Sequence, residues 1–181
     1  MPGDLRHAAY EDGPLPIGFG QTISQPFTVA CMCQALQLDG TEKVLEIGAG
    51  SGYSAAVLSL LASSVFTIER VAQLGERART RLSQSGYHNV RVVTGDGTLG
   101  LPDEAPFDAI VVTAGAECLP DAYVEQVRRG GRIVIPIGEY RYNQTMYRFT
   151  RLDQELRVEN LGGFAFVPLI GKYGWHERDT E

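Results

Sequence analysis

Three carboxylates, Glu46, Glu69 and Asp96, fall at the ends of three successive apolar runs of the sequence. Between the first two lies Gly48-Ala49-Gly50-Ser51-Gly52, a stretch almost without side chains. The run Val44, Leu45, Ile47 before it suits a strand buried on both faces, and Tyr53 to Leu61 after it reads as a helix. Strand, glycine turn and helix bring backbone close to a ligand. Glu69 lies 69 − 50 = 19 residues beyond Gly50, a spacing from which an acid can accept both hydroxyls of a ribose. Asp96 sits between Gly95 and Gly97, which leave room for a flat ring such as adenine. Any one of these acids alone is more commonly a solvated loop carboxylate; three at successive strand ends are harder to dismiss.

The other polar groups are less eloquent. Ser24, in Gln21-Thr22-Ile23-Ser24-Gln25-Pro26, stands where a helix N-cap would stand, with proline in the first turn. Capping is the plain reading of its hydroxyl, and catalysis the sharper one. His7, His88 and His176 fall in or near predicted loops, surface histidine being the default for each, and no Ser-His-Asp arrangement or H-E-x-x-H occurs. Cys31, Cys33 and Cys118 fit neither a disulfide framework nor a zinc spacing, so no metal site is expected.

The elements that must position these groups follow from periodicity. Residues 1–20, rich in glycine and proline, read as an irregular segment; a helix runs from Pro26 and closes at Gly40. Strands are predicted at Val44–Ile47, Val65–Ile68, Val90–Val93, Phe107–Thr113 and Arg132–Pro136, with helices at Val71–Ser85 and from Pro120 to about Arg129. Thr145–Leu152 and Leu156–Leu169 are extended. Strands alternate with helices and then follow one another, which predicts a single α/β domain over residues 1–181, a doubly wound parallel sheet with an antiparallel C-terminal edge. In such a sheet ligands bind beyond the carboxyl ends of the strands, at the switch point.

Composition narrows the partners. The chain has 181 residues and a formal net charge of −6, with no Lys/Arg block, so no nucleic-acid partner is expected. No apolar run is long enough for a membrane span and no signal peptide is evident, which predicts a cytoplasmic protein, read here as a monomer.

Spacing sharpens the glycine turn. In a dinucleotide fingerprint, G-x-G-x-x-G, the third glycine falls one residue later than Gly52, where this chain has Tyr53. The pattern here, E-x-G-x-G-x-G, resembles the cofactor turn of S-adenosylmethionine (SAM) methyltransferases, whose ligand carries a sulfonium and suits a nearby acid. A tight turn with no ligand is the plain alternative. The segments A-Y-E-D-G-P-L-P-I-G-F-G-Q-T-I-S-Q-P (Ala9 to Pro26), V-L-E-I-G-A-G-S-G-Y, T-I-E-R, G-Y-H-N-V, G-D-G, A-P-F-D-A-I-V-V-T-A, G-G-R-I-V-I-P-I-G and F-V-P-L-I-G-K-Y-G-W span nearly the whole chain. Together they resemble the protein-L-isoaspartate O-methyltransferase family.

That resemblance implies a Rossmann-like fold and transfer of methyl from SAM, with no metal, to the free α-carboxylate of L-isoaspartyl residues in damaged proteins, the start of their repair, leaving S-adenosylhomocysteine (SAH). It implies an active-site role for Ser24, orienting the acceptor oxygen. It implies cofactor contacts at Gln21, Thr22, Ile23, Glu46, Gly48, Ala49, Gly50, Ser51, Glu69, Arg70, Asp96 and Gly97. Substrate contacts are expected at Ser24, Gln25, Pro26, Val167, Pro168 and Leu169, the backbone of Val167 and Leu169 pairing with a substrate strand. An α-carboxylate of pKa ~3.5 is already ionised at pH 7, which accounts for the missing base. The family usually carries a longer helical segment before Ala9, where this chain has eight residues, so residues 1–25 form a shortened active-site segment. Phe27 and Val29 stand where some relatives have histidine. The competing readings are a same-fold methyltransferase with another peptide or small-molecule acceptor, a nucleic-acid methyltransferase, and a SAM-binding module without activity.

Overall fold

The computed structural model describes residues 8, 11–140 and 143–176. The strands are β1 (Leu15–Gly18), β2 (Gln21–Ile23), β3 (Lys43–Ile47), β4 (Ser64–Glu69), β5 (Val90–Thr94), β6 (Phe107–Val112), β7 (Val127–Gly138), β8 (Gln144–Arg151) and β9 (Leu156–Phe164). The helices are α1 (Pro26–Leu36), α2 (Tyr53–Ser59), α3 (Ala72–Gln84) and α4 (Asp121–Gln126). One seven-stranded sheet has the order β5-β4-β3-β6-β7-β8-β9, parallel from β5 to β7 and antiparallel from β7 to β9. The expected parallel sheet with an antiparallel C-terminal edge is what forms.

The central strands are apolar at consecutive positions because both faces are covered. Leu45, Ile47, Ile110 and Ile133 pack with Tyr123 of α4 on one face. Val44, Ala109, Val111 and Val134 pack with Met32 and Leu36 of α1 and Leu58 of α2 on the other. Each valine, leucine, isoleucine or methionine among them contributes about 1.5–3 kcal/mol when fully buried. The chain order reverses between β3 and β6, so a crevice opens beyond Ile47, at the carboxyl ends of the parallel strands. Among the described residues no helix is long and apolar enough to cross a membrane.

Four local expectations are corrected. The stretch before Ser24 is not irregular: β1 and β2 form an antiparallel hairpin, turning through Gly18, Phe19 and Gly20, all at positive φ (93°, 56° and 68°). Ser24 does not cap α1. The N-cap is Gln25, without a side-chain bond, and the Phe27 N–H donates instead to Asp12 Oδ1 at 3.1 Å. Helix α1 ends before Gly40, at Gln37, which takes the left-handed conformation itself. Helix α4 stops at Gln126 because Val127 is drawn into the sheet opposite Phe107, and the Arg151 guanidinium takes the carbonyls of Val124 and Val127, both at 2.7 Å.

Candidate functional site

The glycine turn has the conformation its composition allows. Gly48, Gly50 and Gly52 all have positive φ (100°, 51° and 85°). Their lack of side chains is also used for packing. A Cβ on Gly48 would run into Thr113 Oγ1, and one on Gly52 would stand 3.3 Å from Leu82 of α3. The turn hangs from the sheet by the N–H groups of Gly48 and Ala49, which donate to Ile68 O at 2.8 and 3.2 Å.

Beyond the turn lies a cleft of about 560 Å³, lined by Ile47, Gly48 and Gly50 after β3, Ile68, Glu69 and Arg70 after β4, Gly97 after β5, and Thr113 and Ala114 after β6. Gln21 and Thr22 of the hairpin close one side, and Val167 to Ile170 another. Ile17 of the hairpin seals onto the turn, 3.3 Å from where a Gly50 Cβ would be. The ring of Phe19 at the hairpin tip lies beneath the Arg77 guanidinium of α3, 5.5 Å from its centroid.

Glu69 is nearly buried, and both its oxygens hold backbone: Oε2 accepts from Gly50 N–H at 2.8 Å and Oε1 from Val71 N–H at 2.9 Å. A carboxylate has about four acceptor positions, so capacity remains toward the cleft. Asp96 does not line the cleft wall. Its Oδ1 accepts from the Thr98 N–H and hydroxyl at 2.9 and 2.6 Å, and its Oδ2 from Lys172 N–H at 2.8 Å. Burial pushes the Asp96 carboxyl up, but those bonds and the Arg70 charge outweigh it and hold it below the usual range. Asp96 thereby ties down the segment after Leu169, whose Trp175 Nε1 donates to Gly115 O at 3.1 Å. Gly97 is held to a bare backbone, because a Cβ there would stand 2.6 Å from Ile47 Cγ2, and it lines the cleft without a side chain.

Glu46 lies beneath the turn rather than at the cleft surface. It is fully buried; Oε2 accepts from Thr67 Oγ1 at 2.5 Å, the Ser54 hydroxyl stands near, and no well-formed bond reaches Oε1. Burial raises its pKa to about 7, and the Glu69 charge adds to the rise against the two hydroxyls. Ala49, Ser51 and Ile23 face a smaller recess of about 390 Å³ between the turn, the hairpin end and α1.

A second cavity, of about 840 Å³, lies on the hairpin's other side, lined by Ser24, Gln25, Phe27 and Thr28 at the start of α1 and by Gly163 to Val167. No charged side chain lines it among the described residues. The cleft and this cavity share three wall residues: Thr22, Thr113 and Val167.

The structure therefore brings together Gln21, Thr22, Gly48, Gly50, Glu69, Arg70 and Gly97 in one cleft, and Ser24 and Gln25 in the adjoining cavity. It separates Pro26, the first residue of α1, which lines neither. Pro168 and Leu169 line the glycine-turn cleft, not the Ser24 cavity, and the expected strand pairing there is corrected. Val167 O accepts from Gly115 N–H, and Leu169 N–H donates to Gly115 O, both at 2.8 Å, while Leu169 O accepts from Trp175 N–H at 2.8 Å. Those three groups, all but the Val167 N–H, are spent inside the fold. Sequence reasoning assigned no role to Thr113, although its place after β6 at the switch point was a signal for it. His7, Ala9 and Tyr10 lie outside the described residues; no cluster of metal-ligating side chains occurs among the described ones.

The sequence model of the protein-L-isoaspartate(D-aspartate) O-methyltransferase (PCMT) family matches residues 1–174. A relative from Syntrophus aciditrophicus, named protein-L-isoaspartate O-methyltransferase, is 56% identical over 174 residues, covering 94% of this chain and 79% of its own. A solved protein-L-isoaspartate O-methyltransferase superposes with a TM-score of 0.83 at 32% identity, over 91% of this chain; this chain spans 55% of that one's length. A second, from Plasmodium falciparum in complex with S-adenosyl-L-homocysteine, gives 0.74 at 27% identity over 89% of this chain and 81% of its own.

Proposed function

This chain belongs to the protein-L-isoaspartate(D-aspartate) O-methyltransferase family, and from that premise we propose how its two cavities divide the work. The reaction is SAM-dependent methylation of the free α-carboxylate of an isoaspartyl residue. When bound, SAM supplies a methyl group on a positively charged sulfur. The residues of the glycine-turn cleft fit such a group: Glu69 accepts the ribose hydroxyls with its remaining capacity, Gly97 leaves room for the adenine, and Gly48 and Gly50 admit the amino-acid tail against backbone. Gln21, Thr22 and Arg70 wall the same ligand, and Ile23, Ala49 and Ser51 back it from the smaller recess. Asp96 and Glu46 act from behind, Asp96 by fixing the Lys172 strap and Glu46 by setting the turn on Thr67.

The acceptor peptide occupies the second cavity. Ser24, free of any capping duty, donates a hydrogen bond to the carboxylate and fixes which oxygen faces the shared wall; Gln25 and Val167 border it. The carboxylate is ionised at neutral pH and needs no base. These residues have to align oxygen, carbon and sulfur and keep water out. The observation that carries the reading is the common wall of Thr22, Thr113 and Val167, by which the glycine-turn cleft adjoins an uncharged cavity; that adjacency supports a donor on one side and an acceptor on the other.

The same reading takes residues 1–181 as one domain and the protein as a cytoplasmic monomer acting on proteins rather than nucleic acid; its acidic balance supports the last point. The deciding experiment gives the protein SAM and two peptides that differ only in Asp or isoAsp at one position. A base-labile methyl ester on the isoAsp peptide alone is expected. Equal methylation of both, or of neither, refutes the assignment of the acceptor.

A further inference from the structure

Thr113 stands at the common wall, and its hydroxyl is not free to act as a donor there. Oγ1 lies 2.9 Å from Ile47 O and 2.8 Å from Gly48 O, and the Thr113 N–H also donates to Ile47 O at 2.9 Å. A hydroxyl has one proton and two lone pairs, whereas a carbonyl oxygen can only accept. The single proton is therefore committed to the turn, and Oγ1 retains acceptor capacity alone. The β-branched side chain, tied at both N–H and hydroxyl, is held in one orientation.

We infer that Thr113 is a positioning residue for the transferred methyl group, its lone pairs accepting the polarised C–H bonds of a methyl on positively charged sulfur. This rests on the division into donor cleft and acceptor cavity given above. A C–H···O contact is ordinarily weak, and the adjacent positive charge strengthens it by making the hydrogens more acidic. The same lone pairs repel a carboxylate, so the acceptor oxygen is turned toward Ser24, whose hydroxyl has a proton to give. Two hydroxyls lining the second cavity thus do opposite things: Thr113 accepts from the donor side and Ser24 donates to the acceptor side.

SAM and SAH differ by that methyl and its charge, so their relative affinity reads the contact directly. Thr113→Val keeps the shape and removes the oxygen; Thr113→Cys keeps a weak donor to the turn but replaces the oxygen with a poor acceptor. Calorimetry on each folded protein should show relative affinity shifted toward SAH by threefold or more, with Thr113→Ser restoring the wild-type ratio. Turnover on the isoAsp peptide should fall in the first two with the peptide KM unchanged. If Thr113 merely braces Gly48, both ligands weaken alike and the ratio stays put; an unchanged ratio in Thr113→Val, or in Thr113→Cys should the valine protein not fold, overturns the inference. A wrong acceptor assignment shows separately, as the absence of ester on the isoAsp peptide, and leaves the ratio untouched.

Discussion

Replacing Glu69 separates its two duties. Toward the protein, it accepts from Gly50 and Val71; toward the cleft, it is proposed to accept the ribose hydroxyls. Glu69→Ala removes both backbone acceptors from a nearly buried place and orphans two N–H groups, each at about 1–3 kcal/mol. That variant should lose roughly 2–6 kcal/mol of stability, a large share of what a domain has, so it is a poor probe of binding. Glu69→Gln is the better one. Its amide oxygen still accepts one backbone N–H, but the charge and at least one ribose bond are lost, a loss of about 1.5–3 kcal/mol for a bond to a charged group. At about 1.4 kcal/mol per decade this is a ten- to hundredfold weaker SAM affinity. Calorimetry with SAM, beside a thermal unfolding curve on the same preparation, reads both quantities. A folded Glu69→Gln protein that binds SAM within twofold of wild type would refute the ribose assignment.

Ser24→Ala should leave the melting curve almost unmoved, since Gln25 is the N-cap, while turnover on the isoAsp peptide collapses; full turnover would return Ser24 to a bystander. Asp12→Ala should cost about 1 kcal/mol of stability, because that carboxylate caps α1 across fifteen residues, with SAM affinity unchanged by calorimetry. Glu46 should govern stability against pH. Its folded pKa of about 7 is raised from 4.5, so the protonated carboxyl is the one the fold prefers; its contribution is full below about 4.5 and is lost as pH rises through 7. Glu46→Gln, which cannot ionise, should therefore gain on wild type across that window by up to roughly 3 kcal/mol. Denaturation curves at pH 5 and pH 8 with the same difference between the two proteins would refute it.

The sheet and the glycine turn were legible because their signals are local: unbroken apolar strands, positive-φ glycines and acids at strand ends. What was misread depends on partners far along the chain. Ser24 looks like a cap from its neighbours, yet the cap comes from Asp12. Val167 and Leu169 look like a free edge, yet Gly115 has already taken Val167 O and the Leu169 N–H. Helix α4 is cut short because the sheet claims Val127 opposite Phe107, an attraction no helical propensity records. The hairpin was hidden by its brevity, its turn relying on the left-handed Phe19 between two glycines. Thr113 was placed by its strand end at the switch point, but its role was not, because that depends on the carbonyls of Ile47 and Gly48 that its hydroxyl meets.

The strand order also bears on how the chain assembles as it leaves the ribosome. From β7 to β9 the sheet is a meander whose neighbours are joined by short turns, so those pairings form between recently made segments. The join of β3 to β6 is different: Val44 pairs with Ala109, across 65 residues. Contacts of such separation are slow because the loop must close before they repay the ordering. Until the chain past β6 has emerged, the glycine turn lacks the Thr113 hydroxyl that donates to it and the cleft lacks one wall. The glycine-turn cleft, whose other wall is Val167 to Ile170, is thus among the last features to be completed, and the early β3 segment, buried on both faces in the fold, waits in the nascent chain for β6.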